Sequence, residues 1–454
     1  MMAAAYFLFG LLLLALEPGS AGQWWYLALG AVGTLGLCWI ARRKMRSWLI
    51  LFAVGLSLAP GLDCLLVLLL RRAGDHAFLT GTPFSVDTQT NPVLAGAATA
   101  TFLFVLGLGA GWLLVAHRLR GVSLDLRMPM TLPVRFLLGG VWLFCLVSFY
   151  QEVGGRTILA AQYGSSTGEA VFYSGMYAVV ANLSLMVLDA SIRHRSQRSW
   201  INALWGVNCL ALLLLGNRVD VIFALILILL VRFRSFGTQV RVAVLACAVL
   251  VPFFVFWGFF RSMASFDLHR DNLISYFLAD ATTRLPTVGG IGPAALTTAD
   301  AVFLQRSHRL EELQGSGYWD YLERTMPLAL MPTRPPSLAL SFSQYGLPTL
   351  GGLTPVAEAL LNFPLGGALA VGLVMGLLLA LFELRVCASA NPWIHAAYVV
   401  AVAISFRTWM YEVFSLYKLL VVYAAFAAIC ALAVRATMQR GSTRQSNYAP
   451  RATT

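Results

Sequence analysis

Apolar residues run through this chain in long blocks separated by short polar segments. Blocks near 3–16, 24–41, 48–70, 94–116, 132–150, 169–189, 199–216, 219–231, 242–260, 363–383, 394–408 and 415–434 are long enough, or nearly so, to cross a hydrocarbon layer of about 30 Å as helices. The pattern predicts an all-α polytopic membrane protein of about twelve transmembrane helices. It is broken once, between Arg261 and Asn362, by a stretch rich in arginine, tyrosine, tryptophan and proline. A connection of that length is uncommon unless it does something, so function is expected there.

These blocks divide the chain into an N-terminal transmembrane bundle over 1–260 with about nine helices, a large loop over 261–362, C-terminal transmembrane helices over 363–434 and a tail over 435–454. The first block ends in Glu17-Pro18-Gly19-Ser20-Ala21-Gly22 but starts with no basic residue, and is read as a membrane helix rather than a cleaved signal. The Pro60-Gly61-Leu62-Asp63 segment is read as breaking the third span. Within the loop, Leu273, Ile274, Phe277 and Leu278 recur at helical spacing, and Tyr318, Trp319, Tyr321 and Leu322 follow Gly317. Short helices on the membrane surface are expected from both, with aromatic rings at headgroup level. Pro327, Pro332, Pro335 and Pro336 then forbid a continuous helix.

Composition agrees with the pattern, since 59% hydrophobic and 11% charged residues exclude a water-soluble domain. The formal charge of +12 comes from basic residues scattered between apolar blocks, which favours membrane lipid over nucleic acid as the partner. Seven cysteines, all in or beside apolar blocks and none at Cys-x-x-Cys spacing, imply neither a disulfide framework nor a metal centre. One set of alternate short loops holds thirteen basic residues, from Arg42 to Arg241, against Arg71, Arg72, Arg156 and Arg218 in the other set. Basic residues are retained on the cytoplasmic side, so both termini are expected in the cytoplasm and the large loop outside.

Candidate chemistry follows from that orientation. Arg218, in Leu215-Gly216-Asn217-Arg218-Val219-Asp220, would face outward at the membrane surface, where a guanidinium grips phosphate oxygens bidentately and keeps its charge. The alternative is a snorkelling arginine paired with Asp220. Arg407, in Ser405-Phe406-Arg407-Thr408-Trp409-Met410-Tyr411-Glu412, stands between two apolar blocks with almost no polar loop, and intramembrane charge marks function more often than not. Its alternative is an ion pair with Glu412. Arg334 is held between Pro332 and Pro335 on a stiff segment; Arg156, Tyr163 and Arg261 are further outer-face candidates. For proton transfer the outer face offers Glu358, Glu412, Asp267, Asp271, His269 and His308. Glu358 is favoured because it opens a helix read as entering the membrane, although acid in a first helical turn also complements the helix dipole. The chain contains no Walker loop, no Gly-x-Gly-x-x-Gly after a strand, no His-Glu-x-x-His and no Gly-x-Ser-x-Gly, so nothing supports nucleotide-driven chemistry, a cofactor or a metal.

Four segments together resemble the Wzy-type polymerases of O-antigen and related bacterial polysaccharides. They are Leu215-Gly216-Asn217-Arg218 opening the eighth block, Met326-Pro327-Leu328-Ala329-Leu330-Met331-Pro332-Thr333-Arg334-Pro335, Glu358-Ala359-Leu360-Leu361-Asn362-Phe363 before a Gly-rich block, and Arg407. The resemblance covers the second half of the chain, and departs from the family in Asn217 and Pro364. It implies a GT-C-like bundle in the bacterial inner membrane acting as a periplasmic glycosyltransferase. The donor and acceptor would be undecaprenyl-pyrophosphate-linked glycans, and a chain-length-regulating co-polymerase would be a partner. By that likeness Arg218, Arg334 and Arg407 would hold pyrophosphate or orient glycan, with Glu358 or Glu412 as base. The nearest rival, an O-antigen ligase, is disfavoured because His269 and His308 are followed by arginine rather than asparagine. A lipid-linked oligosaccharide flippase would show repeated halves, and only Asp63 points that way.

Overall fold

The computed structural model describes residues 33, 47–70, 87–116, 118–119, 124–152, 168–192, 198–214, 218–233, 235–265, 291–307, 313–325, 333, 335, 338, 353–410 and 413–446. Among these residues the protein is all-helical. The helices are α1 (Trp48–Leu70), α2 (Asp87–Ala116), α3 (Leu132–Glu152), α4 (Gly168–Ser191), α5 (Arg198–Leu214), α6 (Arg218–Arg232), α7 (Phe236–Ser265), α8 (Ile291–Arg306), α9 (Ser316–Thr325), α10 (Pro355–Asn362), α11 (Leu365–Ala388), α12 (Pro392–Met410) and α13 (Phe414–Ser446). Every apolar block from 48–70 onward coincides with one of them; the blocks at 3–16 and 24–41 lie outside the described residues. Four helical stretches are long and apolar enough to cross a membrane: Pro92–Ala116, Leu132–Gln151, Leu365–Ala388 and Leu416–Met438.

Backbone contacts divide the chain into two compact units. The first comprises Met1–Ser123, Asp271–Ser389 and Ile404–Lys418; the second comprises Leu124–Arg270, Ala390–Ala403 and Leu419–Thr454. The first unit therefore joins an N-terminal helix pair to residues of the large loop and to the turn between α12 and α13.

In the first unit α2 is the central helix, with 89% of its apolar stretch buried. Glycines let α11 lie directly on it. A Cβ at Gly107 or Gly111 of α2 would collide with the carbonyl oxygens of Leu369 and Leu373, and one at Gly372 or Gly376 of α11 with those of Phe104 and Leu108. Two Gly-x-x-x-Gly faces thus meet, the arrangement by which small residues bring helices together where water supplies no hydrophobic drive. Near one end of this seam Glu383 is buried with both oxygens engaged, Oε1 accepting from the Ser47 hydroxyl and Oε2 from Trp112 Nε1 at 3.0 Å.

Helix α1 runs unbroken through Pro60 and Gly61, contrary to the expected break at the third span. A proline deletes one intrahelical donor, and here packing outweighs that loss: Gly61 lies so close to α2 that a Cβ would come 2.7 Å from the Thr101 side chain. Helix α8 was not foreseen in the large loop. From Leu296 to Leu304 it is buried all round, and it packs on α1, α2 and α10.

In the second unit α4 packs on α3, α5 and α6 around Phe149, Ala178, Leu212 and Val221. A closed polar chain ties the same helices. Trp142 Nε1 donates to Asn208 Oδ1 at 3.1 Å, Asn208 Nδ2 to Asn182 Oδ1 at 2.7 Å, and Asn182 Nδ2 to the Asp220 carbonyl at 3.2 Å. A second group centres on Asp189, whose Oδ2 accepts from Trp205 Nε1 at 3.0 Å and Arg232 Nε at 2.9 Å, while Arg232 Nη1 reaches Asn202 Oδ1 at 2.6 Å.

Candidate functional site

Helix α10 is eight residues long and buried at every position. Thr354 starts it, in extended conformation, with its hydroxyl accepting from Ala357 N at 3.1 Å, and Pro355 occupies the first turn, where no donor is missed. Its end is equally closed. Gln305 Nε2 on α8 donates to the carbonyls of Leu360 (2.6 Å) and Phe363 (2.8 Å), groups a helix terminus leaves without intrahelical partners. Thr298, about two turns earlier on α8, meets the Thr354 hydroxyl at 2.9 Å. The sequence reading has Glu358 opening a helix that enters the membrane. Instead α10 stops at Asn362 and α11 begins at Leu365, because Pro364 disfavours helical backbone at Phe363, which is extended (φ −147°, ψ 158°).

This short helix presents Glu358 to the break between α12 and α13. The side chain is fully buried, and its Oε1 accepts a hydrogen bond from Val413 N at 3.1 Å. The carboxylate therefore lies at the amino end of α13, where outward-pointing N–H groups favour negative charge. Six residues before Val413, Arg407 sits half-buried on the last turn of α12, with no ion pair or hydrogen bond among the described residues. Its neighbour Trp409 is buried edge-on against Phe104 of α2, with ring centroids 6.5 Å apart, which fixes this end of α12 within the first unit.

Helix α9 closes the other side. The Asn362 side chain clamps it to α10, taking the Gly317 N–H on Oδ1 at 3.0 Å and giving its own Nδ2 to the Glu358 carbonyl at 2.9 Å. Only glycine fits at 317, since a Cβ would come 2.9 Å from Asn362 Oδ1; Gly315, at φ +91°, makes the turn before it. The clamp sets Tyr318 beside Glu358. The Tyr318 ring rests edge-on against Tyr321 at 6.1 Å, and its hydroxyl is buried without a hydrogen-bond partner among the described residues. Burial first, then the Glu358 carboxylate and Tyr417, hold that phenol well above its usual pKa, so it stays protonated. The short helix expected here is thus present, with Trp319 and Leu322 exposed and Tyr321 buried.

A second buried acid, Asp300, lies on α8. It is two residues past Thr298, hence about 200° round the helix and turned away from α10. Neither carboxyl oxygen has a partner among the described residues, and burial raises its pKa from 3.8 to about 8.

Of the residues singled out in the sequence, the structure brings Glu358 and the Arg407-bearing end of α12 into one unit. Arg218 is the first residue of α6 in the second unit and Arg261 lies near the end of α7; their side chains are outside the described set, as is that of Asp63. Glu412, Arg334, Arg156, Tyr163, Asp267, Asp271, His269, His308 and the 273–278 segment lie outside the described residues. Sequence reasoning passed over Asp300, Glu383 and the role of Tyr318. Glu383, an acid inside an apolar block, carried the signal that intramembrane charge always carries. Asp300 could have been found from Thr297-Thr298-Ala299-Asp300, a polar cluster within an apolar helix. Among the described residues no group of three or more His, Cys, Asp and Glu could hold a metal ion.

Comparison with protein-family models, with curated proteins and with solved structures finds no match to this chain.

Proposed function

We propose that this chain is a periplasmic-face glycosyltransferase of the bacterial inner membrane. It polymerises undecaprenyl-pyrophosphate-linked oligosaccharide repeat units into a surface polysaccharide, as a GT-C-like bundle of about twelve spans. The observation that supports this reading is that Glu358, a buried carboxylate accepting a hydrogen bond from Val413 N, and Arg407, on the last turn of α12 with no ion pair or hydrogen bond among the described residues, stand on the two sides of one helix break. An acid and an unneutralised arginine are what transfer from a lipid pyrophosphate requires. Glu358 takes the proton of the attacking sugar hydroxyl, the new C–O bond forms at the anomeric carbon, and the bond to pyrophosphate breaks as Arg407 balances the negative charge that leaves. Arg334 is assigned with Arg407 to holding the pyrophosphate and glycan, with Glu412 as a second carboxylate, and a chain-length-regulating protein is the expected partner.

The test is deletion of the gene followed by electrophoresis of surface polysaccharide. Loss of polymerase leaves lipid A core bearing one repeat unit, and Arg407→Ala at normal protein level gives the same band. Bare core with long carrier-linked polymer would make the chain a ligase instead. Repeat units trapped inside the cell would make it a flippase.

A further inference from the structure

Four helices of the second unit, α3 to α6, come together at one end around the last turn of α4. Arg232, which closes α6, is bonded there to Asp189 at 2.9 Å and to Asn202 of α5 at 2.6 Å, so its charge is balanced. Arg135, in the first turn of α3, has no such partner. Its Nη2 donates to the Ser191 carbonyl at 2.9 Å, its Nε is buried with no acceptor among the described residues, and no carboxylate among them pairs with it. A guanidinium carries five N–H donors, and the described protein engages one of them. The other charges at this end do not restore the balance. Arg135, Arg232 and Arg198, exposed at the start of α5, stand against Asp189, which Arg232 and Trp205 Nε1 already hold. The excess positive charge calls for an anion, and a guanidinium suits phosphate.

The source of that phosphate is read from α3. Leu132, Phe136 and Leu137, which flank Arg135 in the chain, are each more than half exposed, and α3 is long and apolar enough to cross a membrane. A free phosphate gains nothing from such a flank. A phospholipid does, because its chains cover the apolar residues while its headgroup reaches the arginine. The asymmetry of basic residues in the short loops expects this end in the cytoplasm, the side on which basic pockets between spans take up anionic headgroups.

We propose that Arg135 binds the phosphate of an anionic phospholipid whose chains lie along the exposed flank of α3. The site is distinct from that of the glycosyl transfer proposed above and does not depend on it.

The experiment is a thermal melt of the full-length protein in neutral detergent, titrated with phosphatidylglycerol, phosphatidylcholine or inorganic phosphate. Phosphatidylglycerol should raise the melting temperature of the parent, since a ligand bound by the folded protein stabilises it, and the other two should not. In Arg135→Gln the concentration giving half of that rise should increase at least about ten-fold, the scale of one charge-assisted hydrogen bond. Arg127→Gln removes the same charge from an exposed arginine of the same unit and should leave the response as it is. Arg135→Lys keeps the charge but has no Nε donor; it should weaken the response several-fold, and it decides the matter where Arg135→Gln does not fold. The proposal is overturned if phosphatidylcholine acts as phosphatidylglycerol does, or if inorganic phosphate alone reproduces the rise. It is equally overturned if either Arg135 variant responds like the parent, or if Arg127→Gln loses as much as Arg135→Gln.

Discussion

In the second unit Trp142, Asn208 and Asn182 pass hydrogen bonds from helix to helix until the chain ends on the Asp220 carbonyl, whereas in the first unit the Tyr318 hydroxyl and both carboxyl oxygens of Asp300 are buried with no partner among the described residues. Both kinds of polar group sit in apolar surroundings, where an unmade hydrogen bond costs about 1–3 kcal/mol. A closed chain repays that cost by fixing which helix faces which. An open one leaves it standing, and calls for a partner such as water or a ligand. Arg135 Nε and Arg232 Nη2 of the second unit are also buried with no hydrogen-bond partner among the described residues, so the contrast is between the Trp142–Asn208–Asn182 chain, which serves packing, and Tyr318 and Asp300, which are the groups to test for work on a ligand.

The largest effect expected from this contrast is on activity. Glu358→Gln keeps the shape of the side chain and an oxygen for Val413 N but removes the proposed base, and polymer formation should fall by at least about 100-fold with protein level and melting temperature nearly unchanged. Measured on membranes by incorporation of labelled repeat units, a rate within a factor of three of the parent would strip Glu358 of its role and with it the meaning of the open cluster.

Next comes the pH dependence of stability set by Asp300. The fold favours its neutral form, so the folded pKa of about 8 lies above the unfolded value of 3.8. Its contribution is fully present below pH 3.8, is lost as pH rises toward 8 at up to about 1.4 kcal/mol per unit, and is flat above. Asp300→Asn should flatten that slope in thermal melts of detergent-solubilised protein. A slope that survives the substitution would mean another group carries it.

How far these features were readable in advance differs between fold and site. The helices were legible because each needs only a run such as Leu132–Gln151, and a bilayer demands internally bonded backbone whatever the neighbours. The site was half legible. Arg407 and Glu358 stood out as charges next to apolar blocks. That they belong to one unit depends on the Asn362 clamp and on the Val413 N–H, contacts between positions 45 and 55 residues apart that no local pattern encodes. Pro364 was read as a departure from a family pattern, when its physical effect is to end α10 and leave Glu358 on a helix of its own. Asp300 escaped notice because the reading treated residues 261–362 as surface, while α8 is apolar enough to be buried among α1, α2 and α10.

The closed side of the comparison can be broken at Asn208. Asn208→Leu removes the middle link, leaving Trp142 Nε1 and the Asn182 oxygen buried and unsatisfied, and should cost about 2–3 kcal/mol of stability. Its activity per folded molecule should match the parent. If Asn208→Leu instead lowered activity without lowering the melting temperature, the second unit's network would belong to the site.

The smallest effect, and the sharpest test of what an unpartnered group means, is at Ser57 on α1. Its hydroxyl is buried and bonds to nothing among the described residues, although a helical serine can usually turn back to the carbonyl four residues earlier, as Ser184 does to Val180 at 2.8 Å. It stands one turn before Gly61, on the stripe of α1 that meets α2. If the group is only a flaw in the packing, Ser57→Ala should be neutral or stabilise by up to about 1 kcal/mol, and activity should not change. If activity falls while the melting temperature holds, the open cluster extends beyond α8, α9 and α10 onto α1, and the boundary between packing and ligand work has to be redrawn through the α1–α2 interface.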